Sequence, residues 1–225
     1  MSNEKPIGIF DSGFGGLTVA RAVMDLLPAE DVVYFGDTAR YPYGPKPLSE
    51  VREFAFQIVE YLINEHDVKL LVVACNTAAA AALDDLSAEI SVPIIGVIAP
   101  GTQAAIDVSR TGLIGVIGTV GTVNSGAYKR AFSTLSDDEI QPLTLACPGF
   151  VEFVEKGESS GEQLQVLAER LLAPIVSANV DTLLLGCTHY PYLARVIGQV
   201  VGSDVVLVSS ADETAFEVSR QLTEM

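Results

Sequence analysis

Basic residues are scarce in this sequence. Its 225 residues include 13 lysines and arginines against 29 aspartates and glutamates, which gives a formal net charge of −16. Binding to phosphates requires basic surface, so we expect no nucleic-acid partner. Long apolar runs are missing too: no stretch reaches the roughly 18 residues of a membrane span. The first six residues carry no basic segment followed by an apolar one, as a signal peptide would. We therefore expect no membrane association.

Cysteine is also rare. The three cysteines, Cys75, Cys147 and Cys187, are far apart in the sequence, and their spacing indicates neither a disulfide framework nor zinc-type cysteine pairs. Reduced thiols in the cytoplasm are the natural interpretation. Pro148 follows Cys147, so no helix begins there, and we interpret Cys147 as a structural residue.

Short apolar runs are abundant, since hydrophobic residues make up 49% of the chain. Such runs are typical of parallel strands that are buried on both faces. They predict strands over residues 7–10, 32–35, 70–75, 93–97, 112–118, 143–148, 181–187 and 205–208. Helical periodicity between them predicts helices over residues 17–27, 49–66, 78–86, 100–109, 150–156, 162–178, 190–201 and 211–225. This alternation predicts an α/β fold with mostly parallel sheets and helices on both faces.

One arrangement occurs twice in the chain. A strand leads into a glycine-rich turn at residues 7–16 and again at 112–123, and each is followed by a strand that ends on a cysteine, Cys75 or Cys187. We interpret this as an internal duplication that gives two pseudo-symmetric α/β domains. The predicted domains are residues 1–97 plus 209–225, and residues 98–208. Ligands of open α/β sheets bind beyond the carboxyl ends of the strands, so the two thiols are expected to face one cleft.

The first glycine-rich turn raises the question of a dinucleotide site. Counted from Gly13, the dinucleotide fingerprint requires a glycine at position 18, which is Thr18. The match therefore fails, although the turn still allows a small anion to approach N–H groups at a helix start. The alternative is that Asp11 or Ser12 only caps the helix.

Several roles are open to Cys75 and Cys187. First, they could be small hydrophobic core residues. Second, Cys187 could be a nucleophile with His189 as its base. Third, both could be metal ligands together with Cys147 and His189. In the fourth role, one thiolate removes a proton from Cα and the other thiol delivers one to the opposite face. This role uses both thiols and requires no cofactor. A helix start just after each cysteine is expected to lower its pKa.

Four segments in order resemble the bacterial glutamate racemases, within the cofactor-independent aspartate/glutamate racemase family. They are DSGFGGL at 11–17, DTARYPYG at 37–44, CNTA at 75–78 and GCTHYP at 186–191. The resemblance implies two α/β domains with the active site between them, and interconversion of L- and D-glutamate that supplies D-glutamate for peptidoglycan. It also implies a homodimer and no metal or cofactor.

The resemblance assigns roles to particular residues. Cys75 would take the proton from D-glutamate and Cys187 from L-glutamate, with Asp11 and His189 as polar partners of the thiols. Glu155 would assist on the His189 side, with Glu152 as its rival. The implied substrate contacts are Asp11, Ser12, Tyr43, Gly44, Asn76, Thr77, Thr188 and His189, and Thr119 and Thr122 on the second glycine turn are added to them. The alternatives are a racemase for aspartate or another acidic amino acid, and a non-catalytic amino-acid-binding protein.

Overall fold

The computed structural model describes residues 4–137 and 139–225. Its strands form two four-stranded sheets in which every neighbouring pair is parallel. The first sheet contains β1 (Ile7–Asp11), β2 (Val32–Gly36), β3 (Leu70–Val73) and β4 (Ile94–Gly96), in the order β2-β1-β3-β4. The second contains β5 (Ile114–Gly118), β6 (Leu143–Ala146), β7 (Thr182–Gly186) and β8 (Val206–Ser209), in the order β6-β5-β7-β8. The repeated order confirms the predicted α/β class with two halves of one plan.

Helices connect the strands. In the first half they are α1 (Leu17–Leu26), α2 (Leu48–His66) and α3 (Asn76–Glu89), and α4 (Ile98–Val108) leads into the second half. The remaining helices are α5 (Val120–Asn124), α6 (Ala127–Leu135), α7 (Phe150–Glu155), α8 (Glu162–Ser177), a 3-10 helix (Tyr190–Leu193), α9 (Ala194–Val201) and α10 (Ser210–Glu224). No helix within the described residues combines the length and the apolar character needed to cross a membrane.

The central strands are apolar because helices cover both of their faces. Every residue of β1, β3, β5 and β7 is buried, and strands in that environment cannot alternate between polar and apolar residues. The last helix, α10, returns to the first half and packs against α1 as well as α4. A single apolar cluster contains Phe10 and Val73 of the first sheet together with Val116 and Leu184 of the second. The two halves therefore share part of their core.

The structure differs from the sequence prediction in residues 120–135, where it has two helices that we did not predict. The second of these, α6, begins after Gly126, whose φ of 70° lies in the left-handed region that favours glycine. Tyr128 and Phe132 are the fully buried residues of α6, and their spacing of four residues is the helical signal in this segment. Pro174 lies inside α8, and the helix continues through it to Ser177.

Candidate active site

Cys75 and Cys187 lie just beyond the carboxyl ends of central strands. In the first sheet β1 and β3 end side by side, and Ser12 and Cys75 follow them. In the second sheet β5 and β7 end side by side, and Thr119 and Cys187 follow them. The two thiols thus occupy equivalent places in the two halves, because parallel strands bring their carboxyl ends to one edge of each sheet.

A cavity of about 80 Å³ lies between these strand ends. Both thiols line it, and so do most of the predicted contact residues: Ser12, Tyr43, Gly44, Asn76, Thr77, Thr119, Thr188 and His189. Asp11, Thr122 and Glu155 are not part of the cavity wall but bond to residues that are. The wall therefore combines residues of both halves in one small space.

Cys75 immediately precedes α3 and caps its first turn. Its sulfur accepts a hydrogen bond from the amide of Ala78 at 3.4 Å, which makes Cys75 the N-cap residue. The helix begins at Asn76, two residues before the predicted start at residue 78. The Cys75 sulfur also lies 3.6 Å from the hydroxyl oxygen of Ser12. A hydroxyl and an amide of the protein thus surround this thiol.

Cys187 lies beside a histidine and a carboxylate. Its sulfur is 3.9 Å from Nδ1 of His189, and Nε2 of that ring is 2.7 Å from Oε1 of Glu155. His189 is only 2% exposed, and the ring of Phe14 packs against it at a centroid distance of 5.4 Å. The row formed by thiol, imidazole and carboxylate can pass a proton away from the sulfur and stabilise the charge on the ring.

Both thiols have a pKa above the ordinary value, contrary to our expectation from the helix starts. Burial raises the pKa of Cys75 to about 11, and the nearby Asp11 carboxylate adds to the effect. Burial also raises the pKa of Cys187 well above its usual range. Amide N–H groups oppose the change in both cases, but desolvation of the thiolate outweighs them.

Asp11 joins the two halves behind the cavity. It is fully buried, and it accepts hydrogen bonds from the amide of Gly13 at 2.9 Å and from the hydroxyl of Thr188 at 3.2 Å. Burial raises the pKa of the Asp11 carboxyl, while the charge of His189 acts in the opposite direction. Neither Asp11 nor Ser12 caps α1, whose N-cap residue is Gly16 and has no side-chain cap.

The first glycine-rich turn packs closely against the second half at Gly15. A Cβ atom on Gly15 would lie 2.5 Å from Nδ1 of His189 and 2.6 Å from the hydroxyl oxygen of Thr188. The amide of Gly13 is already bonded to Asp11. The close packing at Gly15 therefore positions Thr188 and His189, and it requires a residue without a side chain there.

Three threonines form a second connection between the halves. The hydroxyl of Thr77 lies 2.9 Å from that of Thr119 and 3.2 Å from that of Thr122, and the last two are 3.0 Å apart. The amide of Gly121 also donates to the carbonyl oxygen of Gly44 at 2.9 Å. These bonds fix the start of α3 and the loop before α2 against the second sheet.

Tyr43 and Asn76 also have defined hydrogen-bond partners. The hydroxyl of Tyr43 donates to the Asp37 carboxylate, to which Arg40 is also paired. The hydroxyl of Tyr128 donates to Oδ1 of Asn76 at 2.6 Å. The amide nitrogen of Asn76 is buried and has no hydrogen-bond partner within residues 4–137 and 139–225.

Part of the cavity wall was not predicted from the sequence. Cys147, interpreted as structural, lines the cavity, and burial raises its pKa to about 12. Glu152 lines it as well, while its rival Glu155 holds His189. The other wall residues that we did not predict are Tyr41, Pro42, Pro45, Val120, Pro148, Gly149, Val151 and Tyr190. Their types carry no signal, but four of them adjoin Tyr43, Gly44, Thr119 or His189 in the sequence.

A metal site built from Cys75, Cys147, Cys187 and His189 was one of the open alternatives. In the described part of the chain, no group of three or more His, Cys, Asp or Glu side chains is arranged to hold a metal ion. All three cysteines are free thiols.

Comparison with known proteins shows the family to which this chain belongs. The family model described as Asp/Glu/Hydantoin racemase matches residues 17–217. The chain belongs to this family, and since racemases are isomerases, that is its enzyme class.

More specific relatives are glutamate racemases. One from a Parafrankia species is 53% identical over 217 residues, which cover 96% of this chain and 78% of the relative. The crystal structure of glutamate racemase isoform RacE1 from Bacillus anthracis is 45% identical with a TM-score of 0.95, covering 100% of this chain and 83% of that one. The crystal structure of the Francisella tularensis glutamate racemase in complex with D-glutamate is 36% identical with a TM-score of 0.90, covering 98% of this chain and 82% of that one.

Proposed function

We propose that this protein interconverts L-glutamate and D-glutamate by a two-thiol mechanism and supplies D-glutamate for peptidoglycan synthesis. One observation carries the mechanism: Cys75 and Cys187 line one cavity from equivalent positions of the two halves. General acid–base catalysis needs proton-transfer groups within reach of the reacting atom. Two such groups on opposite sides of Cα suit a reaction whose substrate and product are mirror images.

The proposed proton transfers require no co-reactant. The thiolate of one cysteine takes the Cα proton and becomes a thiol, and the electron pair remains on Cα, delocalised into the adjacent carboxylate. The thiol of the other cysteine then gives its proton to the opposite face of Cα and becomes a thiolate. In the reverse reaction the two cysteines exchange roles. Following the family resemblance, Cys75 deprotonates D-glutamate and Cys187 deprotonates L-glutamate.

Because the pKa values of both thiols are raised, each thiol needs a nearby group that accepts its proton. A thiol with a high pKa holds its proton at neutral pH and can act as the acid, and its thiolate is a stronger base for the weakly acidic Cα–H. Forming that thiolate requires a proton acceptor. His189, with Nδ1 3.9 Å from the Cys187 sulfur and Glu155 behind it, is the acceptor on one side. Asp11, whose pKa burial raises, is our candidate on the other.

Neutral donors are expected to hold the substrate's carboxylates. Among the described residues that line the cavity, none is a lysine or arginine. The start of α3 offers backbone N–H groups at the positive end of a helix. We propose direct contacts from the hydroxyl, amide and backbone groups of Ser12, Tyr43, Gly44, Asn76, Thr77, Thr119, Thr188 and His189, with Asp11 and Thr122 supporting them from behind.

Proton exchange in D2O tests the mechanism. Proton NMR and circular dichroism of the purified protein with each glutamate enantiomer, without added cofactor, should show loss of the Cα–H signal together with loss of optical activity. Cys75→Ser and Cys187→Ser should each abolish racemisation. Cys187→Ser should still exchange the Cα proton of D-glutamate, and Cys75→Ser that of L-glutamate.

Cys147→Ser is the thiol control: Cys147 also lines the cavity, but the two-thiol mechanism gives it no proton-transfer role, so this variant should still racemise glutamate. Full racemisation by either Cys75→Ser or Cys187→Ser would refute the two-thiol mechanism. Exchange with aspartate but with neither glutamate would instead assign a different acidic substrate to the same site. No exchange with any acidic amino acid would reduce the proposal to a binding role.

Three further proposals concern organisation. We propose that residues 1–97 plus 209–225 form one domain and residues 98–208 the other, which the packing of α10 on α1 supports. We also propose a cytoplasmic homodimer, as the family resemblance implies. Sedimentation equilibrium of the purified protein would distinguish a dimer from a monomer.

A further inference from the structure

Asn76 presents a donor that nothing in the described protein satisfies. It follows Cys75, lines the cavity and is 3% exposed. Its Oδ1 accepts the Tyr128 hydroxyl at 2.6 Å, while its amide nitrogen is buried and has no partner in the part of the chain that the structure describes. A buried unpaired donor costs free energy that a ligand with an acceptor can recover.

Tyr128 reaches this amide from the other half of the molecule. It lies on α6, is 2% exposed, and belongs to the apolar cluster that both halves share. Its ring packs closely over Gly186, where an added Cβ would meet ring carbon Cε2 at 2.8 Å. Gly186 directly precedes Cys187. One side chain therefore contacts the residue after the first thiol and the residue before the second.

We propose that Tyr128 is a positioning residue that fixes the orientation of the Asn76 amide, so that Nδ2 donates to a carboxylate of the substrate. This inference rests on the proposed function. A side-chain amide has two orientations that exchange its oxygen and nitrogen. The Tyr128 hydroxyl donates to Oδ1, which directs Nδ2 elsewhere.

The reversed orientation is unfavourable on two counts. It would leave the phenolic hydrogen of Tyr128 without the acceptor that the structure gives it. It would also place an amide oxygen where a donor is needed, so that lone pairs would face a carboxylate. Held by Tyr128, the amide enters the substrate complex already oriented, and less ordering is required on binding.

Tyr128→Phe tests the inference because it keeps the ring over Gly186 and removes only the hydroxyl. We expect KM for both glutamate enantiomers to rise about tenfold, which corresponds to about 1.4 kcal/mol, with kcat changed less than twofold, since interactions made equally in ground and transition states appear in KM. Calorimetric Kd for D-glutamate should weaken by the same factor. Tyr61→Phe, at an exposed tyrosine of α2, should change neither quantity.

A double variant separates orientation from a purely structural effect. If Tyr128 acts through the amide, Asn76→Ala combined with Tyr128→Phe should bind D-glutamate no more weakly than Asn76→Ala alone. Additive losses would overturn the inference, and so would an unchanged Kd in Tyr128→Phe of a protein that racemises glutamate. If the unmodified protein neither racemises nor binds glutamate, the proposed function fails first and the inference fails with it.

Discussion

Gly15→Ala probes the link between the glycine-rich turn and the candidate proton relay. The new Cβ would lie 2.5 Å from Nδ1 of His189 and 2.6 Å from the hydroxyl oxygen of Thr188. Ordinary contacts between non-bonded heavy atoms begin near 3.5 Å. The imidazole must therefore move by about 1 Å, away from a position where its Nδ1 lies 3.9 Å from the sulfur of Cys187.

A displacement of about 1 Å in a catalytic group costs on the order of 100-fold in rate. We expect kcat for racemisation to fall by about that factor in both directions. Overpacking of a buried site also costs about 1–3 kcal/mol of stability, and each kcal/mol lowers Tm by about 2–4 °C for a chain of this size. Steady-state circular dichroism gives the rates, and a thermal scan gives Tm.

Gly13→Ala is the matched control on the same turn. Its Cβ would lie 3.4 Å from Oε1 of Glu155 and 3.5 Å from the ring of Tyr41, which are ordinary contact distances. The control should keep most of the activity and its Tm. Our reasoning would be refuted if Gly15→Ala were fully active, or if the two substitutions reduced kcat equally.

Two further predictions concern carboxylates. Glu155→Gln should lower kcat/KM about 10- to 100-fold, because it removes the charge beside His189. The loss should be equal in both directions, because the equilibrium constant between the two enantiomers is 1. Glu152→Gln should have a smaller effect, and the reverse ranking would contradict the assignment. Hydrogen bonds from hydroxyl and amide groups hold the pKa of Asp181 below its usual range, although burial opposes them. The stability that Asp181 contributes should therefore be present above pH ~4 and be lost as pH falls through the folded-state pKa of Asp181. Asp181→Asn should lower Tm at pH 7 and flatten that acid dependence, whereas Asp107→Asn, at an exposed carboxyl, should leave both unchanged.

The strands were the most predictable part of the fold. Each of the eight strands in the structure lies at a predicted position, because buried parallel strands are short apolar runs that local sequence reveals. Helices α5 and α6 were not predicted, because the helical signal in this segment is limited to the spacing of Tyr128 and Phe132. That omission hid Tyr128, whose importance depends on contacts with Asn76 and Gly186 that are distant in sequence.

The candidate site was predictable where residues follow strand ends, as Cys75 and Cys187 do. The pKa values of the thiols were less predictable than their positions. A helix start favours a thiolate, but only the folded structure shows that burial of Cys75 outweighs it. Likewise, sequence spacing alone leaves Glu152 and Glu155 as rivals, and the 2.7 Å contact with His189 distinguishes them.

The hydrogen bonds between the halves have a consequence for how such a chain can be divided. Thr188, next to Cys187, donates to Asp11 of the first half, and Tyr128 of the second half donates to Asn76, next to Cys75. Each thiol thus has its surroundings completed by the opposite half. A fragment cut between the halves would therefore carry one thiol without the residue of the other half that completes its surroundings.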